Sequence, residues 1–161
     1  MPRVLVTGIA GFIGSHVADH CLQQGFKVVG IDDLSGGLWR NVPAAARLVA
    51  GDVSDPAVVS RLWQEHGPFD HVYHLAAYAA EGLSHHIRRF NYRHNLGATA
   101  NLINEAVLHG ARHFVFTSSI AVYGAGQVPL REDTVPVPED PYGIAKYAGE
   151  RFLADSSGSL G

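Results

Sequence analysis

The feature that most constrains the fold of this chain is a run of three glycines at fixed spacing near its amino terminus. The run reads Gly8-Ile9-Ala10-Gly11-Phe12-Ile13-Gly14 and follows the apolar segment Arg3–Thr7, which we predict to be a strand. A helical pattern follows over Phe12–Gln24, so the glycines occupy a turn between a strand and a helix. Such a turn needs glycine for its tightness, for the close approach of backbone to a ligand, and for packing of the helix on the strand. The sequence therefore predicts a βα unit that can hold a phosphate group at the start of a helix.

Short apolar runs alternate with longer helical patterns along the rest of the chain, an order typical of βαβ units. The runs are rich in Val, Leu, Ile and Phe without regular polar alternation, as expected for parallel strands that are covered on both faces. We predict about five parallel strands in a doubly wound α/β sheet. The predicted strands are Arg3–Thr7, Lys27–Ile31, Arg47–Ala50, His71–Leu75 and Arg112–Thr117, and the predicted helices are Phe12–Gln24, Pro56–His66, Tyr92–His109 and Tyr142–Ala154.

Length and composition limit the kind of protein that this sheet belongs to. The chain has 161 residues, enough for one packed domain, and its single Cys excludes a disulfide scaffold. A net charge of −3 gives no basic excess for nucleic acid, and no apolar run reaches the ~18 residues of a membrane span. Gly8 and Gly11 interrupt the only stretch that resembles a signal peptide. We expect a cytoplasmic protein with one domain over residues 1–155 and a flexible Ser/Gly tail over residues 156–161.

A carboxylate follows the second predicted strand at the position where adenosine ribose is bound in dinucleotide-binding folds. Asp32 lies about 20 residues beyond the glycine run, the separation at which an acidic residue binds the ribose hydroxyls. No arginine follows it directly to accommodate a 2′-phosphate. The sequence therefore favours NAD over NADP.

A tyrosine and a lysine stand four residues apart on the last predicted helix. Tyr142 and Lys146 therefore share one face, where a cation is expected to lower the pKa of the phenol and make it usable as an acid or base. The same spacing alone also fits an exposed pair on an amphipathic helix. Ser119 follows the fifth predicted strand, where a doubly wound sheet places its ligand crevice, and this favours the catalytic interpretation.

The histidines and the basic residues give weaker signals. His16 and His20 share a helix face, but no further ligand stands at metal-binding spacing, so no metal site is predicted. The segment Glu81–Arg93 either presents positive charge to a diphosphate or forms an ordinary solvated face, and we favour the solvated face.

Taken together, these motifs make the chain similar to the extended short-chain dehydrogenase/reductase superfamily. The resemblance is to its NAD-dependent nucleotide-sugar epimerase/dehydratase branch, in particular to enzymes like UDP-glucose 4-epimerase, and it implies a Rossmann-type fold. The matching segments occur in the family's order and are Thr7–His16, Asp32-Asp33-Leu34, Gly51-Asp52-Val53, His74-Leu75-Ala76-Ala77, Asn95 with Gly97-Ala98-Thr99, Thr117-Ser118-Ser119 with Val122-Tyr123-Gly124, and Pro141–Lys146.

The resemblance implies a catalytic trio and an NAD site, assigned here by position. Ser119 is expected to hydrogen-bond the substrate hydroxyl, Tyr142 to move its proton, and Lys146 to hold the nicotinamide ribose and tune Tyr142. Asp52 and Val53 are expected to contact the adenine. The cofactor-binding residues implied are Gly8, Gly11, Phe12, Ile13, Gly14, Asp32, Asp33, Asp52, Val53, Leu75, Ala76, Ala77, Asn95, Tyr142 and Lys146.

Two departures from the family narrow the expected function. Ile120 and Ala121 stand where related 4,6-dehydratases carry an Asp-Glu pair, so the acid and base of a dehydratase are missing. The chain also runs only a short way past Lys146, so we expect an amino-terminal portion that lacks the carboxyl-terminal strands and the substrate domain.

Several functions remain open at this point. The first is NAD-dependent epimerisation of a nucleotide sugar, with a UDP-sugar as substrate and a homodimer formed through the helices Tyr92–His109 and Tyr142–Ala154. The alternatives are a non-catalytic NAD-binding module or fragment, and a reductase of a small ketone or alcohol.

Overall fold

Five parallel strands form one sheet in the computed structural model, which describes residues 1–158. The strands begin at the predicted residues except the fifth, which begins one residue later. The second extends one residue further than predicted, and the fourth and fifth end one residue earlier. The strands are β1 (Arg3–Thr7), β2 (Lys27–Asp32), β3 (Arg47–Ala50), β4 (His71–His74) and β5 (His113–Phe116).

The helices also follow the predicted pattern, with shifts of one or two residues at the ends of the first and last helices and a larger difference in the third. The third predicted helix begins at Arg88, four residues before Tyr92, and its second turn is π-helical over Tyr92–Gly97. The helices are α1 (Phe12–Gln23), α2 (Pro56–His66), α3 (Arg88–Asn91), α4 (Ala98–Leu108) and α5 (Pro141–Ser156), with short 3-10 turns at Trp39–Asn41, Glu81–Leu83 and Ile120–Tyr123.

The strand order is β3-β2-β1-β4-β5, and every neighbouring pair is parallel. The chain moves outward from β1 to β3, then returns to the other side of β1 to place β4 and β5. Because the direction reverses between β1 and β4, a crevice opens at the carboxyl ends of these strands. The predicted doubly wound sheet of five strands is confirmed.

Two apolar clusters hold the helices against the two faces of the sheet. Alternate residues of β1 point to opposite faces. Leu5 packs in the cluster that includes residues of α2 and α4, and Val4 and Val6 pack in the cluster that includes Ala18 and Cys21 of α1. Strands covered on both faces explain why their sequences lack polar alternation.

β5 lies at one edge of the sheet, so its outer backbone groups have no strand partner among residues 1–158. The predicted tail over residues 156–161 begins one residue early, because Ser156 is the last residue of α5. Residues 159–161 of this tail lie outside the residues that the structure describes. None of the helices in residues 1–158 is long and apolar enough to cross a membrane.

Candidate cofactor and active site

A cleft of about 390 Å³ lies at the carboxyl ends of the strands, where the strand order reverses. Nine of the predicted cofactor residues line it, from the glycine turn and the ends of β2, β3 and β4. The predicted residues that line it are Gly8, Gly11, Asp32, Asp33, Asp52, Val53, Leu75, Ala76 and Ala77.

The glycine turn forms a cradle that a larger residue would fill. Gly8 has a φ of +70°, and a Cβ there would lie 2.9 Å from the amide nitrogen of Ala76. A Cβ at Gly14 would lie 2.0 Å from the carbonyl oxygen of Gly8, so only glycine lets α1 start this close to β1. This close packing leaves backbone N–H groups at the start of α1 open to an anion. The turn therefore fits a pyrophosphate.

Asp32 ends β2 at the floor of the cleft and is 9% exposed. Its Oδ2 accepts a hydrogen bond from the amide of Ala10 at 2.9 Å, and its Oδ1 accepts one from the amide of Leu34 at 2.8 Å. A carboxylate oxygen accepts more than one hydrogen bond, so both oxygens retain capacity for ribose hydroxyls. The fixed, buried carboxylate fits an NAD ribose and disfavours a 2′-phosphate.

Three predicted cofactor residues, Phe12, Ile13 and Asp33, have side chains that are exposed or hydrogen-bonded within their own turn. Phe12 and Ile13 are 80% and 57% exposed and lie outside the cleft lining, so their expected role rests on their backbone amides. Asp33 accepts hydrogen bonds from the amide of Ser35 at 2.9 Å and from its hydroxyl at 2.6 Å. It therefore shapes the turn after β2.

The segment after β4 is held in place by buried polar groups. The hydroxyl of Thr7 accepts hydrogen bonds from the amides of Leu75 and Ala76 at 3.1 and 3.0 Å. Asn95, which is 2% exposed, accepts from the amide of Tyr78 at 2.9 Å and donates to its carbonyl at 3.1 Å. Asn95 thus braces the wall of the cleft without lining it.

The predicted catalytic residues come together at the same edge of the sheet, just outside the cleft lining. Asp140 caps α5 by accepting from the amides of Tyr142 and Gly143, which fixes the first turn. The hydroxyl of Ser119 accepts a hydrogen bond from the amide of Ala121 at 3.2 Å, and it lies near enough to the Tyr142 phenol to lower the pKa of that phenol. Lys146 Nζ lies 5.7 Å from the centre of the Tyr142 ring and donates to the carbonyl of Thr117 at 2.9 Å.

The expected lowering of the Tyr142 pKa is wrong for this structure. Burial raises the pKa of Tyr142, the nearby Ser119 hydroxyl opposes that rise, and the charges of Glu81 and Asp140 add to it. Burial also lowers the pKa of Lys146 to about 8. The ammonium is directed at the Thr117 carbonyl rather than at the phenol, which is why the expected effect does not dominate.

Sequence reasoning missed an aromatic wall at one end of the cleft. Tyr78, Phe90 and His94 line it, with ring centres 4.9 Å apart for Tyr78 and Phe90 and 4.0 Å apart for Phe90 and His94. Tyr78 lies in the loop after β4, Phe90 in α3 and His94 in the π-helical turn, so the wall forms only where these three segments pack together. The only signal in the sequence was the segment Glu81–Arg93, which we interpreted as a solvated face.

The fold and site define a dinucleotide-binding protein of the Rossmann class with a Ser-Tyr-Lys arrangement beside the cofactor cleft. The family described as the NAD dependent epimerase/dehydratase family matches residues 4–160, and the chain belongs to this family. The resemblance drawn from the motifs is thereby confirmed, and NAD is the cofactor of the family.

Individual relatives give the same result. The chain is 40% identical to a UDP-glucose 4-epimerase of Azospirillum brasilense over 161 residues, which is 99% of this chain and 46% of that protein. It is 36% identical to a probable UDP-arabinose 4-epimerase of Oryza sativa subsp. japonica, over 98% of this chain and 39% of that protein. The UDP-glucose 4-epimerase of Thermus thermophilus, in its complex with NAD, superposes with a TM-score of 0.91 at 34% identity, over 98% of this chain and 51% of that one. The chain therefore spans about half the length of the relatives that it matches.

Proposed function

We propose that this chain forms the NAD-binding and proton-transfer part of an enzyme that epimerises a nucleotide sugar, with a UDP-sugar as substrate. The observation that carries the proposal is that Ser119, Tyr142 and Lys146 lie together at the carboxyl ends of the strands, on the same side of the sheet as the glycine turn. We further infer that residues 1–155 act as one NAD-binding domain. The single, buried Cys21 suits a reducing compartment, so a cytoplasmic location belongs to the same proposal.

The chain's own residues supply binding, orientation and proton transfer. When bound, NAD supplies a reversible hydride acceptor. The turn at Gly8 holds the pyrophosphate and Asp32 holds the adenosine ribose. Tyr142 exchanges a proton with the sugar hydroxyl at its phenol oxygen, and Ser119 orients that hydroxyl.

The pKa shifts of Tyr142 and Lys146 determine whether each of the two carries a proton before substrate binds. Because burial raises the pKa of Tyr142, its phenol is protonated near neutral pH in the free chain. Lys146, with its pKa lowered to about 8, is still mostly charged there and is the nearby cation that can stabilise a phenolate. We infer that substrate and cofactor binding must strengthen this stabilisation before Tyr142 acts as a base.

The residues beside Ser119 support an epimerase over a dehydratase. Ile120 is 76% exposed and Ala121 is buried, and neither side chain can transfer a proton. An epimerase needs no further acid or base there, because the same hydroxyl is oxidised and regenerated. A binding module without turnover stays the second candidate, since the chain spans about half of its relatives.

The experiment measures cofactor binding and turnover separately. We would titrate NAD into the 161-residue chain by calorimetry, and follow interconversion of UDP-galactose and UDP-glucose by chromatography with this chain and with a longer version that includes any residues that its gene encodes after Gly161. We expect both proteins to bind NAD and the longer one to interconvert the sugars without net change in cofactor absorbance.

Two variants serve as controls in the longer protein. Asp32→Ala should weaken NAD binding by about tenfold or more, because it removes the ribose acceptor. Tyr142→Phe should bind NAD within about threefold of the wild type and lose interconversion by about a hundredfold or more. Net oxidation or reduction of the cofactor would favour a reductase, and a longer protein that binds NAD but turns over no nucleotide sugar would contradict an epimerase.

A further inference from the structure

Asp52, just after β3, is held by four groups from two different parts of the chain. Its Oδ1 accepts from the amide of Ser54 at 2.8 Å and its Oδ2 from the hydroxyl of Ser54 at 2.7 Å. Arg93 Nη2 lies 3.5 Å from Oδ2, and His94 Nδ1 lies 3.6 Å from Oδ1. Arg93 also donates from Nε to the hydroxyl of Ser54 at 3.0 Å. The end of β3 is thus tied to the π-helical turn by a polar bracket, which we define as Asp52, Ser54, Arg93 and His94.

The polar bracket lies at the end of the cleft where the cofactor's base is expected. The glycine turn follows β1, Asp32 ends β2, and Asp52 follows β3, and these three strands are neighbours in this order. A pyrophosphate at the glycine turn and a ribose at Asp32 therefore direct the base toward β3. This step rests on the proposed NAD site.

The π-helical turn fixes the positions of the two basic side chains in the polar bracket. His94 packs against Phe90 with ring centres 4.0 Å apart, and its side chain is 19% exposed. The next residue, Asn95, is buried and hydrogen-bonded to the backbone of Tyr78. A π turn inserts an extra residue into a helix and is frequent at functional sites. Here it lets His94 face the cleft while Asn95 faces the interior.

A fixed, ionised carboxylate at this position can distinguish one purine base from another. Burial raises the pKa of Asp52, but the Ser54 hydrogen bonds and the charges of His94 and Arg93 together outweigh burial, so the pKa is lowered overall. A carboxylate accepts hydrogen bonds and donates none. It pairs with the amino group of adenine and repels the carbonyl oxygen of a 6-oxopurine.

We propose that Arg93 and His94 are positioning residues, which hold Asp52 as a fixed acceptor and thereby select an adenine dinucleotide over a hypoxanthine dinucleotide. Without Arg93 and His94 the Asp52 carboxylate keeps its two hydrogen bonds from Ser54 but loses the contacts that tie it to the π-helical turn, so its position relative to the base is no longer fixed. Discrimination between the two bases then falls more than overall binding does, because the ribose and pyrophosphate contacts are unchanged.

The test compares the affinities of the 161-residue chain for NAD and for nicotinamide hypoxanthine dinucleotide by calorimetry. We expect the wild type to prefer NAD by about tenfold. His94→Phe keeps an aromatic ring against Phe90 but removes Nδ1, and Arg93→Gln removes the guanidinium. Each should bring the preference to about threefold or less, chiefly by weakening NAD. Asp52→Asn, whose amide both donates and accepts, should abolish the preference.

Arg88→Gln is the matched control, since Arg88 is an exposed arginine of the same helical segment outside the polar bracket. It should leave the preference unchanged. A wild type that binds both dinucleotides equally, or variants that weaken both equally or neither, would overturn the proposal while leaving the NAD site intact. A wild type that binds neither dinucleotide would overturn the proposed NAD site and this inference with it.

Discussion

His74, at the end of β4, is wholly buried between two threonine hydroxyls. Thr99 donates its hydroxyl proton to the carbonyl of Asn95 at 2.6 Å, so it accepts from His74 Nε2 at 3.0 Å. Nδ1 of the neutral ring then accepts from the hydroxyl of Thr7 at 2.8 Å, and that hydroxyl holds the Ala76 amide at the cleft. The hydrogen-bond directions assign one neutral tautomer to His74.

This burial predicts a pH dependence of stability. Burial, together with the charge of Lys146, lowers the pKa of His74 from 6.5 to about 3. Between these values the unfolded chain binds a proton that the folded chain excludes, so stability falls as pH falls from 6.5 toward 3. The slope from this residue approaches about 1.4 kcal/mol per pH unit. Urea denaturation over this pH range measures it.

His74→Gln is the control for this slope. The variant should be less stable at neutral pH, because the two threonine contacts are disturbed, but its stability should depend less on pH between 6.5 and about 3. Exposed histidines and carboxylates contribute equally to both proteins and cancel in the comparison. A His74→Gln protein with the full wild-type slope would contradict the assignment.

At the scale of elements, α2 and α5 both begin with an aspartate N-cap that is followed by a proline, but only the cap of α5 lies near the candidate active site. Asp55 accepts from the amide of Ala57 at 2.9 Å, and Asp140 accepts from the amides of Tyr142 and Gly143 at 2.8 and 2.9 Å. Each aspartate is followed by a proline in the first turn. Only the cap of α5 stands beside a predicted catalytic residue.

Replacing either cap should cost similar stability but only one should alter Tyr142. Asp140→Ala and Asp55→Ala are each expected to lower the free energy of unfolding by about 1 kcal/mol. Asp140→Ala should also lower the pKa of Tyr142, because the Asp140 charge is one of the causes that raise it. Titration of the tyrosine absorbance, with Tyr142→Phe to identify the signal, measures this. Equal titrations in both cap variants would contradict the coupling.

The turns, strands and helices differ in how far the sequence alone could predict them. The glycine turn, Asp32 and the five strands follow from local patterns, since each depends on residue type and spacing along one segment. The π-helical turn does not, because it depends on the simultaneous fit of His94 against Phe90 and of Asn95 against Tyr78. The direction of the Tyr142 pKa was missed for a related reason, since burial depends on the packing of distant segments.

At the scale of the whole molecule, two different surfaces expose groups that a second copy of the chain can cover. Ile144 and Phe152 on α5 are 42% and 43% exposed, and Leu108 at the end of α4 is 71% exposed. The predicted dimer uses these two helices. β5 offers a second surface, because an edge strand exposes unpaired backbone groups and its Val115 is 44% exposed.

We expect the helices to form a defined dimer and the strand edge to cause aggregation. Apolar side chains on rigid helices can bury a fixed area, whereas an open edge pairs with any extended chain. Phe152→Asp should therefore shift sedimentation from dimer to monomer, and Val128→Asp, at an exposed apolar residue of a loop, should not. Val115→Lys should leave the dimer intact and slow aggregation on heating. A wild type that sediments as a monomer would contradict the dimer itself, and a Phe152→Asp protein that stays dimeric would contradict an interface through α5.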